Sequence, residues 1–137
     1  MATLLLLDLG VQKLNERFTH TVSNSDLVLR LYVNNHTPVQ TDTHSAFTIC
    51  TLSGYADATL TGSSWTGSLV SHQWQANYPT VTFTFSAYGG GTTIYGVLLE
   101  DGSNNTYLAG LLDTPFAVPS AGGSLNVTPA YDTQQCP

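Results

Sequence analysis

Between Thr80 and Ser86 the chain reads Thr-Val-Thr-Phe-Thr-Phe-Ser, so Val81, Phe83 and Phe85 alternate strictly with hydroxyl side chains. Successive side chains of an extended strand point to opposite faces, and a period of two cannot give a helix one apolar side. β-branched and aromatic residues also suit a pleated, half-buried surface. The segment predicts a strand with one face in a core and the other coated with hydroxyls.

The same period recurs along the chain. From Asp26, Leu27, Leu29, Leu31 and Val33 share one face, and Val28, Arg30 and Tyr32 share the other. Asn34–Pro38 ends that strand, and the polar run to Ser45 reads as a loop. Shorter strands are expected within Phe47–Leu52 and Tyr55–Thr61. Gly89–Gly91 predicts a turn into Thr92–Leu99, and Glu100–Asn105 returns the chain into Thr106–Leu112 as a hairpin with a loop longer than the tightest types. One or two last strands are expected after Pro115, Ser124–Thr128 among them. Roughly eight short strands with turn signals about every 8–12 residues define an all-β chain. The expected architecture is an antiparallel, jelly-roll-like β-sandwich with a short N-terminal arm and helix.

The N-terminal segment has a different character. Leu4–Leu7 is a short apolar run, and Val11, Leu14 and Phe18 recur at the spacing of an amphipathic helix over Leu9–Phe18. About ten residues make too short a helix to stand alone in water, so it needs a surface. Thr19–Ser25 reads as a linker. Residues 1–25 are therefore expected to form an arm and residues 26–137 the sandwich body. The expected partner-binding residues are Leu5, Leu7, Leu9, Val11, Leu14 and Phe18. The leucines would add as a strand to a neighbour's sheet, and the helix would lay its stripe in a groove.

Charge narrows the function classes. Lys13, Arg17 and Arg30 are the only cationic residues apart from histidine, and none lies between Leu31 and Pro137. With a net charge of −6 the chain is a poor ligand for nucleic acid, whose affinity comes mostly from phosphates neutralised by Lys and Arg. Four leucines fall short of the roughly 7–15 apolar residues of a secretion signal and the roughly 20 of a membrane span. Synthesis in the cytoplasm with no membrane partner is the expectation. Cys50 and Cys136 are then expected as free thiols, and the sequons at Asn35, Asn104 and Asn126 carry little weight.

The carboxylates that would serve hydrolysis are Asp57, Glu100, Asp101 and Asp113. Glycoside cleavage needs two facing carboxyl groups, but Glu100 and Asp101 fall in a run that favours an ordinary turn. His36, Asp42 and His44 share one loop and would offer three ligands to a divalent metal, yet they lack the usual zinc spacing, and solvated histidines are the simpler expectation. His72 is expected simply to flank a strand edge. Gly89–Gly91 lacks the Lys and the helix of a phosphate loop. Trp65, Trp74, Tyr78, Tyr88 and Tyr95 would stack on sugars, although aromatics more often fill cores and interfaces. No catalytic residue, metal site or cofactor is expected.

The run Asp26-Leu-Val-Leu-Arg-Leu-Tyr-Val-Asn-Asn-His-Thr-Pro38 resembles the opening strand of a family of small structural proteins from tailed-bacteriophage virions. Further similarities follow in order: Gly54-Tyr55, Leu60-Thr61, Trp65, Tyr78–Phe85, Tyr95–Val97 and Leu125–Pro129. The resemblance implies a non-enzymatic virion component, a capsid cement (decoration) protein on the capsid exterior. It also implies a β-rich homotrimer seated against the major capsid protein. The alternative is a tail- or fibre-associated module that binds a receptor or glycan.

Overall fold

The computed structural model describes residues 2–7, 26–61, 64–70 and 73–132. Its elements are almost entirely strands: β1 (Ala2–Thr3), β2 (Leu5–Leu6), β3 (Leu27–Tyr32), β4 (Ala58–Leu60), β5 (Thr66–Val70), β6 (Gln73–Asn77), β7 (Val81–Phe85), β8 (Thr93–Glu100), β9 (Thr106–Ala117), β10 (Gly123–Val127) and β11 (Pro129–Asp132). A short 3-10 turn spans His44–Ala46. The fold is all-β, antiparallel and sandwich-like. The helix expected over Leu9–Phe18 and the linker after it lie outside the described residues.

One layer is a five-stranded sheet ordered β2-β9-β8-β3-β4. Across from it run two ribbons, β6–β7 and β10–β11, which pair antiparallel along their length. Stepping from Val81 back to Asn77 takes four residues, while the partner ribbon advances only three, from Val127 to Ala130. The extra residue makes a β-bulge at 78–80, which breaks the ladder into a two-stranded sheet (β10-β7) and a four-stranded sheet (β1-β11-β6-β5).

The main core fills the space between the layers. Leu29 and Leu31 of β3, Leu60 of β4, Ile94, Val97 and Leu99 of β8 and Leu108 of β9 meet Phe83 and Phe85 of β7 and Val127 of β10. The strict alternation of β7 is realised, with Phe83 and Phe85 buried and Thr82 and Thr84 exposed. Ile94 and Val97 share this core although three residues apart, because the register shifts between Ile94 and Gly96. A bulge there reverses which residues face inward.

A second apolar cluster, Leu7, Tyr32, Phe47, Leu98 and Ala109, lies on the other face of the five-stranded sheet. Phe47 comes from the loop after β3, and its ring sits 5.0 Å from that of Tyr32. Burial on both faces explains why β3 and β8 read as nearly continuous apolar runs. Gly96 is needed where this cluster is tightest, because a Cβ there would collide with the Tyr32 ring and the Gly110 carbonyl.

Two expectations are corrected. Residues 2–7 do not leave the body as an arm: β1 pairs parallel with β11, β2 pairs antiparallel with β9, and Leu4 and Leu7 are buried. The physical reason is that an apolar run without alternation finds cores on both faces of one sheet. Phe47–Leu52 is not a strand but an irregular segment joined to β3 through one bridge, Tyr32 to Ile49, and two backbone bonds. The hairpin β5–β6 was not foreseen from the sequence at all.

Candidate functional site

Arg30 stands in the middle of β3, on the face opposite Leu29 and Leu31, with its side chain only 18% exposed. A guanidinium placed there demands compensation, since an unpaired charge withdrawn from water is costly. Three acceptors supply it: Nε donates to Asp57 Oδ2 at 2.9 Å, and Nη1 donates to Glu100 Oε2 at 3.0 Å and to Asn104 Oδ1 at 2.6 Å. The contact ties β3 to the end of β8, to the β8–β9 loop and to the segment before β4.

Glu100 is the hub of this network and is completely buried. Its Oε1 is bonded to His44 Nδ1 at 2.8 Å and accepts a short hydrogen bond from the Thr106 hydroxyl. A carboxylate has no hydrogen to offer, so Nδ1 carries the proton and the other nitrogen, Nε2, faces away as an acceptor while His44 is neutral. Glu100 is therefore not the turn former that its sequence neighbourhood suggests. Among the described residues, no buried side-chain nitrogen or oxygen lacks a partner.

Asp101, next in the chain, does form the turn. Its Oδ1 accepts from the backbone of Ser103 and Asn105, and its Oδ2 accepts from the Asn105 amide and the Tyr107 hydroxyl. Burial alone would raise its pKa, but these four donors overcome that and hold it at about 2. Adjacent acids thus do unlike work: one braces the interior and the other shapes a loop.

Beside the Arg30 network lies an open cleft of about 440 Å³, lined by Arg30, His44, Thr51, Tyr55 and Asp57 with an apolar wall of Ile49, Leu52 and Ala56. Tyr55 anchors its floor. Its hydroxyl accepts from the Leu31 backbone at 3.0 Å and donates to Asp57 Oδ1 at 2.8 Å, while its ring stacks 5.7 Å from Phe83. Burial, and then the Asp57 charge, push the Tyr55 hydroxyl far above its ordinary value despite the Leu31 bond. Cys50 also borders the cleft. It is a buried free thiol whose burial raises its pKa, with Asp57 adding to the effect, so the thiol is favoured over the thiolate.

The loop whose His36, Asp42 and His44 were weighed as metal ligands, with solvated histidines the expectation, is divided by the fold. His36 Nε2 bonds Asp42 Oδ2 at 2.7 Å, whereas His44 turns to Glu100. The described residues contain no group of three or more His, Cys, Asp or Glu side chains that would hold a metal. Asp42 sits below the usual carboxylate range: a little burial raises it, and the Val39 backbone and His36 outweigh that.

Trp65, Tyr78 and Tyr88 pack against the main core, and Tyr95 packs against the second cluster. The Trp65 and Tyr78 rings meet edge to face at 5.2 Å, and the Tyr88 hydroxyl donates to the Val118 carbonyl at 2.7 Å. The side chain of Trp74 and all of His72 and Cys136 lie outside the described residues. Asp113 occupies an exposed part of β9.

Of the residues expected to bind partners, Leu7 is buried and Leu5 is 38% exposed. Leu9, Val11, Leu14 and Phe18 lie outside the described residues. Among the described residues, β5 is an edge of the four-stranded sheet with an exposed outer side. Thr66, Gly67, Ser68 and Leu69 are all exposed there, and Leu69 is 67% exposed. The strand carries no charge and no proline.

Sequence reasoning missed the Arg30–Glu100 hub, although one signal was available. Arg30 is the last cation of the chain and interrupts an apolar strand, so some carboxylate had to come to it. Comparison with known proteins finds no family model, no curated protein and no solved structure that matches this chain.

Proposed function

We propose that this chain is a non-catalytic structural subunit of a tailed-phage virion, a capsid cement protein that clamps the capsid lattice from outside. The observation that carries the reading is the open β5 edge. Sheet edges are normally blunted by Lys, Pro, inward charge or a bulge, because unpaired N–H and C=O groups recruit other strands. β5 has an uncharged sequence and a solvent-facing Leu69, which suits strand addition with another chain.

The docking element in this proposal is therefore β5 and not the first seven residues, which are occupied within their own protomer. The proposed partners remain a second and third copy of the chain, as a homotrimer, and the major capsid protein. The state of the titratable groups supports a passive role: Glu100 is walled in, Asp101 caps a loop and Cys50 is a buried thiol.

Quantifying the chain in purified particles tests the proposal. A lattice clamp is present in fixed proportion to the capsid subunits and is lost from particles when Leu69→Lys is introduced. A handful of copies per particle would instead assign the chain to a tail tip, and full occupancy of the Leu69→Lys variant would remove β5 from the contact.

A further inference from the structure

We propose that the cleft beside Arg30 is a binding site for a neutral, polyhydroxylated ligand of saccharide size, an activity separate from lattice attachment. Its volume of about 440 Å³ lies within the roughly 300–1,000 Å³ usual for small-molecule sites. The two charged side chains that reach it, Arg30 and Asp57, are paired with each other at 2.9 Å. Glu100 stands behind them with no exposure, so it presents no charge to the solvent side. Arg30 is shared between Asp57 and Glu100, so the cleft offers an anion no unpaired cation, and the net charge of −6 also works against anions.

What the cleft does present is a set of single donors and acceptors held in place by the network. Arg30 uses Nε and Nη1 in its contacts, so Nη2 retains donors that bond nothing among the described residues. His44, which lines the cleft, is held through Nδ1, so Nε2 is left out of the Glu100 contact. The Thr51 hydroxyl is exposed at the rim, and each Asp57 oxygen retains a lone pair after its one bond. Ring hydroxyls both donate and accept, so they can answer all of these groups at once. Ile49, Leu52 and Ala56 provide the apolar wall that the C–H face of a pyranose needs. Because the side chains are braced before the ligand arrives, little ordering cost opposes binding.

Ligand-observed saturation-transfer NMR on the full chain tests this. The neutral probes are the methyl α-pyranosides of glucose, mannose and galactose, and the charged probes are N-acetylneuraminic acid and glucosamine. At least one neutral pyranoside is expected to receive saturation and to shift the methyl resonances of Ile49 and Leu52. Ala56→Trp and Thr51→Trp place bulk at exposed positions of the cleft, and each is expected to weaken binding about tenfold or more with an unchanged thermal midpoint. Failure of all three neutral pyranosides to bind would overturn the proposal. So would tighter binding of either charged sugar, or binding that survives both filled variants. Leu69→Lys should leave saccharide binding intact, which keeps this outcome distinct from the fate of the β5 contact.

Discussion

The two edges of the four-stranded sheet are finished in opposite ways. At one edge the chain closes the sheet itself: β1 pairs with β11, and Leu4 and Leu7 then sink into the two apolar clusters on either face of the neighbouring sheet. At the other edge β5 pairs with β6 and stops, and its outer backbone meets no other strand among the described residues. Apolar burial per residue separates them. The N-terminal residues offer leucines that fill internal space, whereas Thr66-Gly-Ser-Leu-Val70 offers small polar side chains and a single leucine that points to solvent. An edge closed from within belongs to the stability of the protomer, and an edge left open belongs to its associations.

The sharpest way to break that contrast is to delete residues 1–7. Loss of two buried leucines removes roughly 3–6 kcal/mol of apolar burial and also uncovers two sheet edges. Urea denaturation is expected to show a strongly destabilised or unfolded chain. A deletion variant as stable as the full chain would mean that the N-terminal residues act as an arm after all.

A somewhat smaller effect is expected at the network that joins the sheet interior to the cleft. Arg30→Met leaves Glu100 buried without its cation, which typically costs about 3–5 kcal/mol. The double variant Arg30→Met with Glu100→Gln should recover more than half of that, because both charges are then gone. Equal losses in the single and double variants would show that the ion pair is not what holds these loops.

The smallest of the three lies at the β8–β9 loop. Asp101→Asn is expected to cost about 1–3 kcal/mol at neutral pH, the range for hydrogen bonds to a charged acceptor. The folded value of about 2 lies below the ordinary 3.8, so the native state favours the ionised form. That stabilisation is complete above about pH 5 and is lost as pH falls through 4 towards 2. The stability difference between wild type and Asp101→Asn should therefore shrink over that window, and a difference that persists at pH 2 would rule the carboxylate out as its source.

Much of this contrast was legible in the sequence, but unevenly. Strict alternation in Val81–Phe85, and leucine at every second position from Leu27 to Leu31, marked β7 and β3, because each has a face that must be buried. The long loop between β8 and β9 was legible from its Gly, Asn and acidic residues. The hairpin β5–β6 was not, since an exposed edge strand needs no apolar face and Thr66-Gly-Ser contains no periodic signal. Glu100 was misread for another reason: local context favours a turn, while its partners Arg30 and His44 lie 70 and 56 residues away. Such long-range charge pairing leaves only an indirect trace, here a lone cation in an apolar strand.

The account rests most heavily on the open edge of β5, and hydrogen exchange at the backbone amides of Thr66–Val70 tests it most directly. In dilute protein the amides that point away from β6 should exchange as unprotected groups. In the assembled oligomer or the intact particle the same amides should slow about tenfold or more, as those of a paired strand do. Exchange at β5 that is the same in the dilute and assembled states would contradict the claim that other chains attach there.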